Sequence, residues 1–200
     1  RGDYSGPAGA RLLLRDPRLE LGVLEVARGG ILRRGLPVTR ASAAIVTNIA
    51  ADHLGQYGIM TVPELAEVKL SVRRSLAPGG LLVLNADDAE VVNAAAGVQE
   101  RIGWFSLDPA SPRIAEARDR GHPCGWLSDG QLVLFADGRV THLIAAADIP
   151  LTLGGAARYN IENALAAALA ARALGLPDAA IRKVLATFRS DATDNPGRAN

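Results

Sequence analysis

The sequence predicts an α/β domain of the Rossmann-like kind: a mostly parallel sheet flanked by helices, with a small antiparallel β meander at about residues 122–153. Three observations carry this expectation. Short apolar, strand-like runs alternate with helical periodicities through the first hundred residues, as strand–helix–strand units require. Two Asp-Gly pairs, Asp129-Gly130 and Asp137-Gly138, separate apolar segments at hairpin spacing. An alanine-rich stretch at about 158–174 then restores a helical pattern.

Each element has its own local reason. Runs at about 20–26, 43–49, 80–85 and 101–106 are apolar and bounded by turn residues, so they read as buried strands. Between the second and third lies a helix predicted over 63–77, where Pro63 suits a first turn and Leu65, Val68, Val72 and Leu76 recur on one face. The alanine-rich helix begins around Tyr159-Asn160 and stops near Gly175, and a further helix is expected over about 177–188. The polar stretch Arg189 to Asn200 reads as a linker. One domain, 1–188, plus that connector is the expected organisation, since 200 residues suffice for a real core.

Composition narrows the class. The 22 basic and 21 acidic side chains leave a net charge of +1, so no charge excess points to nucleic acid. No apolar run approaches the ~20 residues of a membrane helix. The single cysteine, Cys124, excludes an intrachain disulfide and a cysteine-rich zinc site, which fits a reducing compartment such as the cytoplasm. The chain opens on Arg1 rather than methionine, so it is expected to be a piece of something longer.

Open parallel sheets bind ligands where their strands end, and the residues after the expected strands are polar. Glu25 is followed by Ala27-Arg28-Gly29-Gly30; the second strand runs into Asn48, Asp52 and His53; the third ends in Asn85, Asp87 and Asp88. A carboxylate and an imidazole on one rim, completed by water and phosphate oxygens, could hold magnesium. Equally, wet loops follow strands in any protein, and Asn85-Ala86-Asp87-Asp88 has the form of a turn and helix cap. Arg28, Arg33 and Arg34 around Gly29-Gly30 suit an acyl phosphate, a phosphate or an acidic substrate, or else form a solvated basic loop. Lys69 lies on or near the apolar face of its helix, where a long cation snorkels to solvent. Asn160 and Asn163, three apart at a helix start, can present two amides to one side, matching the donor–acceptor edge of adenine. An N-cap role for Asn160 is the alternative.

Taken in order, several segments resemble the Mur ligase family, specifically its cyanophycin-synthetase branch. Gly2-Asp3-Tyr4-Ser5-Gly6-Pro7, Asp16-Pro17 and Leu24-Glu25-Val26-Ala27-Arg28-Gly29-Gly30-Ile31-Leu32-Arg33 look like a stretch of that branch. Thr47-Asn48-Ile49-Ala50-Ala51-Asp52-His53-Leu54-Gly55, Val68-Lys69, Leu84-Asn85-Ala86-Asp87-Asp88, Tyr159-Asn160-Ile161-Glu162-Asn163-Ala164 and Pro196-Gly197-Arg198 are similar to motifs of the wider family. The resemblance implies an ATP- and Mg2+-dependent, amide-forming ligase in which Glu25 and His53 position magnesium. It further implies that Lys69 is the lysine carbamylated in many members, that Asn160 and Asn163 contact adenine, and that Arg198 approaches ATP. The implied partners are ATP and an amino-acid or peptide-like substrate, with arginine joined to an aspartate side chain as the implied reaction.

One departure stands out: no G-x-x-x-x-G-K-[ST] phosphate loop occurs in these residues. Function is therefore expected of the parent protein, with this stretch alone inactive. The sheet should also lack the strand leading into that loop, leaving an edge that invites homo-oligomerisation. A folylpolyglutamate-synthase-like ligase and a degenerate, non-catalytic binding module are the alternatives.

Overall fold

The computed structural model describes residues 7–52 and 54–189. Its centre is one six-stranded sheet in the order β1-β2-β3-β4-β5-β6. The strands are β1 (Ala41–Val46), β2 (Leu76–Asn85), β3 (Arg101–Ser106), β4 (Cys124–Ser128), β5 (Gln131–Ala136) and β6 (Arg139–Ala145). The first four are parallel and the last two continue the same sheet antiparallel. Helices α1 (Pro7–Leu13) and α2 (Arg28–Arg34) precede β1. Helices α3 (Val62–Leu70), α4 (Ala89–Ala94) and α5 (Pro112–Asp119) form the successive crossovers, and α6 (Arg158–Ala173) and α7 (Asp178–Thr187) close the chain.

Alternation along the strands sorts the core into two layers. On β2, Leu81 and Val83 face α6, together with Phe105, Leu132, Leu134, Leu165 and Leu169. Leu82 and Leu84 face the other way, onto Leu65 of α3, Val91 of α4 and Ile114 of α5. A strand buried on both faces must be apolar at every position, which is why β2 reads as an unbroken hydrophobic run. The α6 layer packs closely because β4 carries Gly125, where an added Cβ would stand 2.8 Å from Leu134 Cδ2 and 3.4 Å from Leu165 Cδ2. Cys124 beside it is fully buried, and that burial pushes its thiol up to about 12, so it is a packing residue and not a nucleophile.

The meander follows the Asp-Gly signals. Asp129 and Gly130, and likewise Asp137 and Gly138, all take positive φ, the geometry of the two-residue turns that match strand twist. The meander is not a separate appendage, however, because β4 pairs in parallel with β3 and carries the sheet across.

Three expectations need correction. The run at 20–26 is not a strand: it forms no ladder with any described residue, and Leu21 and Val23 are 49% and 85% exposed. An apolar run becomes a strand only if a neighbour accepts its backbone bonds, and β1 pairs on its other side, with β2. The helix expected over 63–77 stops as α-helix at Leu70, tightens into a 3-10 turn over Ser71–Ser75, and gives way to β2 at Leu76. The strand expected at 43–49 ends at Val46, leaving Thr47 to Ala50 as rim. No helix among the described residues is long and apolar enough to cross a membrane.

Candidate functional site

Because β1, β2 and β3 run parallel, Asn48, Asn85 and Ser106 follow or end their strands on one rim. The rim is stiffened by two aspartates. Asp88 caps α4 through Oδ1, which accepts from Glu90 N and Val91 N at 2.9 and 3.0 Å. Asp87 accepts from Leu107 N at 2.6 Å and from the Ser106 hydroxyl, tying the end of β3 to the turn after β2. Both carboxylates are thus occupied by structure, which supports the turn-and-cap reading of Asn85-Ala86-Asp87-Asp88.

The principal cavity has a volume of about 680 Å3 and lies between β1 and the irregular segment Leu21–Val26. Its wall brings together Glu25, Arg28, Asn48 and Lys69. Three residues singled out from sequence, Glu25, Arg28 and Lys69, therefore share one cavity although 44 positions separate the first from the last. Glu25 is exposed on that segment. Lys69 runs from the buried side of α3, beside Leu65, Ala66 and Leu70, to the end of β1. There its ammonium donates to the Asn48 carbonyl at 3.4 Å and lies 3.8 Å from Asp52 Oδ1. Its side chain does snorkel, and it emerges at the site.

α3 itself is held by a capping box: Thr61 accepts from Glu64 N, and the Glu64 carboxylate accepts back from Thr61 N. Those backbone bonds, led by one from Met60 N, hold the Glu64 carboxyl below its ordinary value.

Arg28 starts α2 and donates through Nη2 to Gln56 Oε1 at 2.9 Å. Arg33 at the other end of α2 donates through Nε to the Gly29 carbonyl at 3.1 Å, and Arg34 ends the helix exposed. Arg28 and Arg33 both lie over the Tyr57 ring, at 6.0 and 5.3 Å from its centroid.

A second, open cavity of about 370 Å3 lies beyond Asn48, lined by Asn85, Asp87, Asp88 and Glu162. Glu162 was not among the residues singled out from sequence. Its burial, reinforced by the charges of Asp87 and Asp88, raises its carboxyl above the ordinary value. Its sequence signal is slight: it follows the buried Ile161 and precedes the buried pair Ala164-Leu165, at the flank of the apolar stripe of α6.

The asparagine pair separates. Asn160 is inside α6, whose N-cap is Ala157, so the N-cap alternative does not hold. Its Nδ2 instead donates to the Leu151 carbonyl at 2.6 Å, fastening α6 to the preceding loop. Asn163 is exposed. His53 and Arg198 lie outside the described residues. No group of three or more His, Cys, Asp or Glu able to hold a metal ion occurs among the described residues.

Comparison with known proteins places this geometry. Residues 9–171 match the model of the Mur ligase middle domain. The chain is 42% identical over all 200 residues to cyanophycin synthetase from Trichormus variabilis, and 40% identical to that from Synechocystis sp.. It spans 22% and 23% of the length of these two relatives. It is 38% identical over 155 residues to UDP-N-acetylmuramoylalanine--D-glutamate ligase from Frankia casuarinae, which covers 76% of this chain and 29% of that enzyme. In fold it is similar to MurF from Acinetobacter baumannii, with a TM-score of 0.56 and 22% identity, covering 96% of this chain and 40% of that one. With parallel strands ending on one polar rim and a family match running from α1 into α6, the chain belongs to the Mur ligases, through their middle domain.

Proposed function

We propose that this chain is the nucleotide- and magnesium-facing domain of an ATP-dependent ligase that activates a carboxylate and joins it to an amino-acid amine. The observation that supports this best is the convergence of Glu25, Arg28 and Lys69 on one cavity that runs beside β1 and reaches Asn48 just past its end. ATP would supply the phosphoryl group that turns the acceptor carboxylate into an acyl phosphate. The chain's own residues do the rest by position and charge. Glu25 would be the carboxylate facing magnesium, joined by His53. Lys69 stands where a cation, or the carboxylate made from it by carbamylation, meets the Asn48 end of β1. Arg28 would neutralise the charge that gathers on the activated acceptor. Asn163, with Asn160 fixed one turn before it, would face adenine, and Arg198, within the connector 189–200, would approach ATP. The finer proposal, following the similarity to cyanophycin synthetase, is that arginine is joined to an aspartate side chain.

The test is amide formation by the full-length protein at saturating magnesium. Glu25→Ala and His53→Ala should each lower turnover by about 100-fold or more. Lys69→Ala should be inactive and regain activity with short-chain carboxylates. Undiminished turnover in both of the first two variants would remove them from the metal site.

A further inference from the structure

β6 lies at the opposite edge of the sheet from β1 and, among the described residues, pairs with β5 only. In an antiparallel pair closed by a two-residue turn, Arg139 and Thr141 direct their backbone groups inward to β5, so Val140 and His142 direct theirs outward. No described group takes up those outward donors and acceptors. Beyond them the edge is closed: Leu143 is the extra residue of a bulge, and its carbonyl accepts from Arg182 Nε at 2.5 Å. The side chains sort by face. Val140 and His142 stand opposite Phe135 and Val133, and both are exposed, Val140 at 47%. Arg139 shares the other face with Thr141, which binds Arg172 of α6, and Arg182 reaches the edge from α7. Asp178 is close enough for the charges of Arg182 and Arg139 to lower its carboxyl, after the dominant Arg172 hydrogen bonds, but Arg172 occupies both its oxygens. Among the described residues no carboxylate forms an ion pair with Arg139 or Arg182, and both are exposed.

An open edge with cations along one face and an apolar side chain on the other matches a strand whose own side chains alternate in the same way. We infer that β6 is a docking edge for an extended acidic segment of another protein, added as an antiparallel strand with its carboxylates toward Arg139 and Arg182 and its apolar side chains toward Val140. A second copy of this chain fits badly. Antiparallel pairing through Val140 and His142 about a two-fold axis sets Arg139 of each copy against the Arg182 held at Leu143 of the other, like charge on like. The edge lies outside the cavity beside β1, so this surface is independent of the ligase role proposed above.

The experiment is backbone amide NMR of this 200-residue protein, titrated at constant ionic strength with a capped peptide of alternating glutamate and valine. The Val140 and His142 amides should shift saturably and exchange with deuterium more slowly, as donors that have gained a partner. Directly opposed residues of an antiparallel pair share a face, so the valines would exchange backbone bonds with Val140 and His142. N-methylation of the valines should therefore weaken binding about tenfold or more, and N-methylation of the glutamates should leave it within about twofold. A lysine–valine peptide should not bind. Arg139→Glu and Arg182→Glu should each weaken the acidic peptide about tenfold, and Arg120→Gln on α5 should leave it unchanged. Val140→Pro, which removes an outward donor and no bond to β5, should abolish the added strand; the two charge reversals carry the test if that variant does not fold. Equal binding of the two methylated peptides would show that charge alone acts and would overturn the assignment. So would protection along Ala41–Val46 in place of β6, no saturable shift, or dimerisation through β6 without peptide.

Discussion

Asp88 accepts the backbone N–H of Ile49 at 2.7 Å through Oδ2 while its Oδ1 caps α4, so one carboxylate joins the end of β1 to the start of a helix 39 positions on. The bond fixes the rim segment that carries Asn48, whose carbonyl receives Lys69. Asp88→Ala should cost about 2 kcal/mol, the sum of a lost cap and an orphaned amide. Asp88→Asn should cost less, because an amide oxygen still caps. Urea unfolding should show a lower midpoint at unchanged slope. An unshifted midpoint in Asp88→Ala would mean that the carboxylate contributes nothing to the rim.

The docking of α7 depends on another carboxylate. Arg172 of α6 holds Asp178 with Nε at 2.8 Å and Nη2 at 2.7 Å, and Nη2 also reaches Thr141 Oγ1 on β6. The Arg172 guanidinium holds the Asp178 carboxyl below its ordinary value of 3.8. Protons therefore bind the unfolded carboxyl more readily than the folded one, and the contribution is complete above about pH 4 and fades as the pH falls through the lower folded value. Asp178→Asn should lose about 1–2 kcal/mol at pH 7, and its stability should converge with that of the wild type in acid. Parallel stability–pH curves for the two proteins would contradict this linkage.

Gly125 tests the packing of the α6 layer. Gly125→Ala places a methyl against Leu134 and Leu165 in a buried strand and should destabilise by about 1–3 kcal/mol. Pairing it with Leu134→Val, which removes one methylene at the contact, should recover part of that loss in a double-mutant cycle. Additivity of the two substitutions would show that the side chains do not meet.

Local chemistry made much of this legible in advance. The Asp-Gly turns, the apolar runs of β2 and β3 and the alanine-rich α6 are set by nearby residues, and they appear where the sequence puts them. The segment at 20–26 has the same composition but not the same outcome, because strand formation needs a partner that no local pattern supplies. The same division holds at the site. Glu25 and Arg28 are picked out after a strand that does not form, and Lys69 by its helix face and the family resemblance, yet all three line one cavity. Tyr57 and Glu162 were hidden: the first is placed by a left-handed loop, and the second meets Asp87 and Asp88 only around an open cavity that the fold creates. At Asn160 the amide donates to the Leu151 carbonyl, a bond to the preceding loop that helix spacing alone does not foretell.

Among the described residues β1 has a neighbour on one side only. Every second amide of Ala41–Val46 therefore turns toward the 680 Å3 space instead of toward β2. Deuterium uptake along this strand should alternate residue by residue, slow where the proton is committed to β2 and fast where it faces outward. Anything that later occupies that space with its own backbone would erase the alternation, so the two-residue rhythm is a direct readout of whether the seam has been filled.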